Sequence, residues 1–425
     1  MLFEFELILL IVMVGTMLLY STVFKMPLSV SMILASLAGA LAGGQGIPLR
    51  HLFEGCFGML DSVMLICCAM IFMKVVSEIG TLDACGGTII RRFHRRPVVM
   101  LLLLGLLMLI PGMLTGTAAV SIIGVGAVIL PVLTAMGMPH SETGALLAVC
   151  GTLAMAAPPV NIPAMMIASS VDMKYQGFTG PLLFLTVLGT IFTIFWFGRP
   201  YLRAIDLDRV SSQIDFEAGG RYGVSIYIPI LLVLAAIGAI RIFPGAFPDI
   251  GNPLVFMAGA LIGCRFGKTC SIVKTAVSAI DAAIPIVARM MAVGMFIQIF
   301  NLLGIRGYIV GNCIVLPSVL LMLAAVIIMP LFGGISVYGS AMLLGGPIIL
   351  ATMTGNEIII AAAASVLAVL GEIMPPTAIA TYFAANLAGG ESRKIIRLSL
   401  IPCLFLMLLC FFCMACSNWF DFLIL

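Results

Sequence analysis

Two proline pairs stand inside apolar segments where an uninterrupted helix would otherwise be expected. Pro158-Pro159 lies in GTLAMAAPPVNIPAMMIAS, and Pro375-Pro376 lies 217 positions later in VLGEIMPPTAIATYFAAN. Proline removes a backbone donor and clashes with the preceding turn, so each pair predicts a broken helix with unpaired carbonyl oxygens. In hydrocarbon, broken backbone is tolerated where it is buried or lines a watery cavity, and breaks that recur in both halves of a chain point to a transport site. A simple kink at each pair is the alternative interpretation.

Uncharged oxygen ligands, which suit a hard cation such as sodium, surround the two breaks and two glycine-rich turns. The two candidate sets are Thr115, Gly116 and Thr117 with Ala157, Pro158 and Asn161, and Gly333, Gly334 and Ser336 with Met374, Pro375 and Thr377. The helix N-terminus after each break can face an anionic substrate. Hydrogen bonds to that substrate are expected from Asn161, Thr377 and Thr381. A role in turns or helix packing explains each of these residue types equally well.

Glu372 is a carboxylate in an otherwise apolar stretch, three positions before the second proline pair, where the first half of the chain has Met155. A carboxylate at mid-membrane costs about 2.5 to 3.5 kcal/mol on insertion scales. It should therefore be paired, protonated or functional. We interpret Glu372 as a substrate-binding residue that alternatively serves as a proton or cation site.

Composition places these residues in a polytopic membrane protein. Of 425 residues, 62% are hydrophobic and 9% are charged, where soluble domains carry about 25% charged residues. The length allows about ten to twelve spans with short loops. Most of the twelve cysteines lie in apolar runs without metal-like spacing, so we expect them to be structural. Acidic residues precede the first apolar run, which therefore predicts a retained span and not a cleaved signal.

The order of segments recurs in the two halves of the chain. The first repeat, residues 1–205, contains a hairpin at 97–136 and a broken helix at 144–170; the second, 222–425, contains a hairpin at 314–353 and a broken helix at 358–387. A polar linker at 206–221 joins them. In the first hairpin, two apolar arms of about 14 to 17 residues flank the turn from Pro111 to Thr117, and arms this short predict a re-entrant hairpin. Two short tilted spans are the alternative.

Basic residues orient the chain. With the run Arg91 to Arg96 placed in the cytoplasm, 15 of the 21 lysines and arginines face the cytoplasm and four face outward. Such a split follows the positive-inside rule. It places the N-terminus in the periplasm and gives the second repeat the opposite membrane orientation to the first, which is an inverted-topology repeat.

Two runs of sequence resemble a known family. LTGTAAVSIIGVGAVILPVLTAMG with the first proline segment, and GPIILATMTGNE through GEIMPPTAIATYFAANLAG, are similar to the large membrane subunit of tripartite ATP-independent periplasmic (TRAP) transporters, in the ion transporter superfamily. The resemblance implies an all-α elevator-type fold in the bacterial inner membrane and usually sodium-coupled uptake of an organic acid, such as a dicarboxylate or sugar acid. It also implies a small membrane subunit and a periplasmic substrate-binding protein as separate chains, and no cofactor besides the coupling ion.

Two other functions remain open from the sequence. A stand-alone symporter or antiporter would work without a binding protein, and Glu372 could couple it to protons. A channel would use the same apolar segments. Enzymatic activity is not expected, because the three histidines are not at metal spacing and no nucleophile elbow or phosphate-binding loop is present.

Overall fold

The computed structural model describes residues 2–202, 223–242, 250–266, 268, 270–352 and 355–424. Within these ranges, eight helices of 18 to 31 residues are long and apolar enough to cross a membrane. The chain is therefore a multi-pass helical membrane protein. The expected linker at 206–221 lies outside the described residues.

The helices form two groups, which we call the outer and the inner group by their packing. The outer group comprises Leu2–Leu18, Leu28–Ala42, Leu49–Phe57, Leu60–Glu78 and Thr81–Phe93, with Ile228–Ile242, Asn252–Gly263, Ile272–Leu302 and Ile305–Ile314. The inner group comprises Pro97–Thr115, Ala118–Ala135, His140–Ala156, Ile162–Ser170 and Thr179–Gly198, with Ser318–Gly333, Val337–Ser340, Gly346–Ala351, Glu357–Leu370, Ile379–Ala388 and Ser392–Ala415.

The outer group is organised around the long helix Ile272–Leu302, which packs lengthwise against the second, third and fourth helices of the chain. Its closest approach to a neighbour is at Gly294, where an added Cβ would collide with the backbone of Gly55, and the reverse also holds. Small residues allow this contact between helices in a membrane. Two short helices that the sequence analysis did not anticipate follow left-handed glycines, Gly80 at φ +88° and Gly304 at φ +71°.

The first hairpin differs from its expected form. Its arms, Pro97–Thr115 and Ala118–Ala135, are 19 and 18 residues long, so the argument from short arms is wrong for this hairpin. Pro111 lies inside the first arm, and only Gly116 and Thr117 form the turn. A membrane helix accommodates an internal proline when neighbouring groups pack around the break in the hydrogen-bond ladder, which the sequence pattern does not reveal.

The second hairpin is shorter than the first. Its first arm is Ser318–Gly333, since Ile305–Ile314 is a separate helix and the expected start at 314 belongs to that helix. The second arm runs from Val337 to Ala351 through a π-helical segment at Ala341–Gly345. In each hairpin a serine of the second arm donates to a carbonyl of the first: Ser121 to Met108 O, and Ser340 to Met329 O at 2.8 Å.

Both proline pairs interrupt helices. The first broken helix consists of His140–Ala156 and Ile162–Ser170, and the second of Glu357–Leu370, a 3-10 turn at Gly371–Ile373, and Ile379–Ala388. Both prolyl bonds, Pro158-Pro159 and Pro375-Pro376, are cis. The two N-terminal halves are apolar on all sides and are buried almost throughout, as expected of helices in the centre of a bundle.

The two broken helices pack reciprocally. His140–Ala156 contacts Ile379–Ala388, while Glu357–Leu370 contacts Ile162–Ser170. Each end is also tied to the opposite half of the chain. The His140 Nδ1 lies 2.7 Å from the carbonyl oxygen of Ala388, and Arg306 donates to the carbonyl of Ser170. The two breaks are thereby held next to each other at the core of the inner group.

Candidate functional site

The first break is organised by Asn161. Its Oδ1 accepts a hydrogen bond from the backbone N–H of Ala164 at 2.9 Å, which caps the helix Ile162–Ser170. Its Nδ2 donates across the break to Ala156 O at 2.7 Å and to Ser365 Oγ at 3.1 Å, on the other broken helix. Asn161 is fully buried, and the protein itself occupies its hydrogen-bonding groups.

The tip of the first hairpin lies against this break. The N–H of Val160 donates to Met113 O at 3.1 Å, and Gly116, at φ +65°, packs against Ile162. The hydroxyls of Thr115 and Thr117 are 3.3 Å apart and buried. The structure therefore brings together the predicted first ion set, with Ala157 and Pro158 buried in the same break.

The second hairpin tip meets the second break in a related way. The carbonyl oxygen of Gly334 accepts two hydrogen bonds from Thr377, one from its backbone N–H at 3.1 Å and one from its Oγ1 hydroxyl at 2.7 Å. A Cβ on Gly334 would lie 2.6 Å from Pro375 O and 3.3 Å from Met374 O, so this glycine allows the tip to approach the break. These residues of the predicted second ion set are therefore neighbours.

Other members of the second set are engaged within their own segments. The Oγ of Ser336 accepts the N–H of Gly339 at 3.1 Å and caps the helix that follows. Gly333 lies against the carbonyl of Ala368. Thr381, which was predicted to bind substrate, donates to Ile373 O at 3.1 Å across the break.

The two breaks differ in access. Every residue from Gly151 to Ala164 is buried, whereas Pro375 and Pro376 are exposed. A cavity of about 310 Å³ opens on the second break, where Ile335, Pro376 and Thr377 form one wall. The other lining residues are Ser21, Thr22 and Met26, which lie between the first two helices of the outer group, and Leu28, which begins the second of these helices.

Ser21 and Thr22 were missed by the sequence analysis. They lie in a π-helical segment, Leu19–Val23, that ends the first helix. The hydroxyl of Thr22 donates to Leu18 O at 2.7 Å, and that of Ser21 to the same carbonyl at 3.3 Å. The only signal in the sequence is a pair of hydroxyl residues at the end of an apolar run, a pattern that also occurs at many ordinary span ends.

Glu372 lies in the 3-10 turn before the second proline pair and is 8% exposed. Among the described residues, no donor lies within hydrogen-bonding distance of its carboxylate. Arg289 of the long helix and Tyr338 of the second hairpin are close enough to interact with it electrostatically.

The chain has the fold of membrane transporters of known structure. It resembles the YdaH transporter of Alcanivorax borkumensis, whose crystal structure reveals an unusual topology, with a TM-score of 0.62 at 16% identity over 88% of this chain and 89% of that chain. It also resembles MtrF of Neisseria gonorrhoeae, from a class of antimetabolite efflux pumps, with a TM-score of 0.52 at 12% identity over 86% and 83%. At these identities the likeness concerns the fold and does not single out the TRAP large subunit. No protein-family model and no curated protein sequence matches the chain.

Proposed function

We propose that this chain is the large membrane subunit of a tripartite secondary transporter, which uses an ion gradient, most simply of sodium, to take up a small organic acid. The observation that carries the proposal is the meeting of a glycine-rich hairpin tip with a proline-pair break, twice, in the core of a transporter fold. Discontinuous helices of this kind hold substrate and ions in secondary transporters.

The coupling ions are proposed to bind where each tip meets its break. Both places offer carbonyl and hydroxyl oxygens without formal charge, which match the ligand preference of a hard cation. The first place is sealed, so its ion would be enclosed by protein. The second faces the cavity, so its ion would lie next to the substrate and could make binding of the two interdependent.

The substrate is proposed to occupy the cavity at the second break. Its volume of about 310 Å³ is at the lower end of the range for small-molecule sites, which begins at about 300 Å³. The hydroxyls of Ser21, Thr22 and Thr377 donate their protons to backbone carbonyls, so their oxygens are suited to accept hydrogen bonds from the hydroxyl groups of a sugar acid or hydroxy acid. The N-terminus of Ile379–Ala388 adds the positive end of a helix dipole.

Movement is proposed to follow an elevator mechanism, in which the inner group slides against the outer group. The reciprocal packing of the broken helices supports two inverted repeats, and the position of the cavity between the two groups supports relative motion there. The distribution of basic residues supports an inner-membrane location with a periplasmic N-terminus. The small membrane subunit and the binding protein would be separate chains.

Uptake by the purified chain in liposomes tests this function. An inward sodium gradient should drive saturable accumulation of at least one radiolabelled C4 dicarboxylate or sugar acid when the chain is reconstituted with its small membrane subunit and supplied with a periplasmic binding protein loaded with the same acid. Equalising sodium across the membrane should abolish accumulation. Flux that neither saturates nor exceeds equilibrium would indicate a channel, and full uptake without any binding protein would indicate a stand-alone transporter.

A further inference from the structure

Arg289 is a basic residue near the middle of the long helix Ile272–Leu302, and it is the one charged residue between Ala282 and Leu302. Its side chain is half-buried, and its Nε donates to Pro285 O at 3.2 Å within the same helix. Basic residues in the interior of membrane helices are costly and usually face a partner or a functional cavity. The hydrogen bond to Pro285 leaves most of the guanidinium donors for such a partner.

The packing of the outer group places Arg289 at the level of the cavity. The long helix lies lengthwise against Leu28–Ala42, and Leu303, just beyond its C-terminal end, contacts Gly39 and Gly43 near the C-terminal end of that neighbour. The two helices therefore run in the same direction. The two helices rise by the same distance per residue. The same number of residues back from this contact therefore leads to Leu28 on one helix and to about Arg289 on the other, so Leu28, which lines the cavity, lies level with Arg289.

The inner group presents a buried acidic residue to this part of the long helix. The long helix packs against Val337–Ser340 of the second hairpin, and Glu372 and Tyr338 are both within electrostatic range of Arg289. Glu372 precedes Pro376, which lines the cavity, by four residues. An ionised carboxylate in the turn that leads to the cavity wall would repel an anionic substrate unless a positive charge compensates it.

We propose that Arg289 is the counter-charge of Glu372 across the boundary between the outer and inner groups, and that this compensation lets the cavity accept an organic anion. The inference rests on the proposed function for the nature of the substrate. Arg289 acts on the substrate through Glu372 and is a positioning residue. Because the two residues belong to different groups, their pairing also depends on the relative position of those groups.

A double-mutant cycle that neutralises each charge, without reversing either one, tests the proposal. The variants are Arg289→Gln, Glu372→Gln, the double variant, and Arg289→Lys, with Arg50→Gln as the control. Arg50 is an outer-group arginine whose Nε donates to Glu54 Oε1 at 2.7 Å, at an exposed position that does not line the cavity. The readouts are KM and kcat for uptake of the transported acid into liposomes, and thermal unfolding of the purified protein without substrate.

Arg289→Gln should raise KM by about tenfold or more because it leaves Glu372 uncompensated. Arg289→Lys should keep KM within about threefold of the wild type, and the double variant should recover most of the loss in both KM and thermal stability. Arg50→Gln should change neither. A double variant as impaired as Arg289→Gln, or an unchanged KM in Arg289→Gln, would overturn the inference.

The thermal measurement separates this inference from the proposed function. If the wild type accumulates no organic acid but the double variant regains the stability lost in Arg289→Gln, the charge pair stands and the proposed substrate class fails. If Arg289→Gln does not fold, the double variant still decides the matter, since a compensated pair predicts that removing both charges restores folding.

Discussion

Replacement of Asn161 by alanine distinguishes a structural role of this residue from the substrate-binding role that its position in the sequence predicts. The side chain caps one helix through Ala164 N, bridges the break through Ala156 O and reaches the other broken helix through Ser365 Oγ. All of these contacts are buried. Alanine removes them together and leaves the carbonyl of Ala156 without this donor.

The loss of stability expected for Asn161→Ala follows from the contacts that alanine removes. Loss of a helix cap costs about 1 kcal/mol, and each side-chain hydrogen bond in a membrane protein contributes about 0.6 to 1.7 kcal/mol. Asn161→Ala should therefore lower the free energy of unfolding by about 2 to 4 kcal/mol. Ser365→Ala removes one of the three bonds made by Asn161 and the bond from its own hydroxyl to Ala362 O, and should cost about 1 to 2 kcal/mol.

Thermal unfolding in detergent, followed by sodium-driven uptake, checks this prediction. The order of thermal stability should be wild type, then Ser365→Ala, then Asn161→Ala, and the double variant should be less destabilised than the sum of the single changes because they share a bond. An Asn161→Ala protein that unfolds at the wild-type temperature but no longer binds the organic acid would refute the structural interpretation and restore Asn161 as a substrate ligand.

Three further changes test the second tip and the cavity. Gly371→Ala should destabilise by about 1 to 3 kcal/mol in thermal unfolding, because its Cβ would meet hairpin backbone, whereas Gly238→Ala, with open space around it, should not destabilise. Ser21→Phe should fill the cavity and abolish uptake without loss of expression, while Val23→Phe, in the same segment at 67% exposure, should transport normally. Thr377→Val removes one of two hydrogen bonds to Gly334 O. It should raise the sodium concentration needed for half-maximal uptake by up to about tenfold, measured at a fixed substrate concentration.

The helix breaks and the membrane class could be predicted from sequence because they depend on local chemistry. Proline cannot donate in a helix, wherever it is in the fold, and an apolar composition dictates a membrane environment. The same rule failed at Pro111, which was expected to lie in a turn but continues a helix. Whether a proline ends a helix depends on the neighbours that pack against it, and those are tertiary contacts.

The cavity and the partner of Glu372 could not be predicted for the same reason. Ser21 is more than three hundred residues from Thr377, and Arg289 and Glu372 lie on different groups of helices. No local periodicity relates such positions, so only the packing of the long helix reveals them. The sequence did identify Glu372 as an anomaly, because the cost of an apolar environment for a carboxylate is a property of one residue.

The offset of 217 that aligns the proline pairs also aligns Asn161 with Ala378, and this pair explains why the two breaks differ. Each is the residue that precedes the helix after its break. Asn161 caps the first helix with its own side chain, whereas Ala378 has no side-chain cap and adopts φ +40°. The first helix N-terminus is thus capped by a side chain of the protein, while the second, beside the cavity, has no side-chain cap and would, under the proposed function, present the positive end of its dipole to the substrate anion.

Transfer of the first cap to the second break tests this difference. Ala378→Asn should place an amide oxygen at the N-terminus of Ile379–Ala388 and compete with the substrate carboxylate, which raises KM for the organic acid by about fivefold or more. Asparagine tolerates the left-handed conformation, so thermal stability should be retained. Ala378→Gly, which suits the same φ without adding a side chain, should keep the wild-type KM. If Ala378→Asn also transports with the wild-type KM, the substrate does not bind at this helix end, and the asymmetry between the breaks must serve the ion instead.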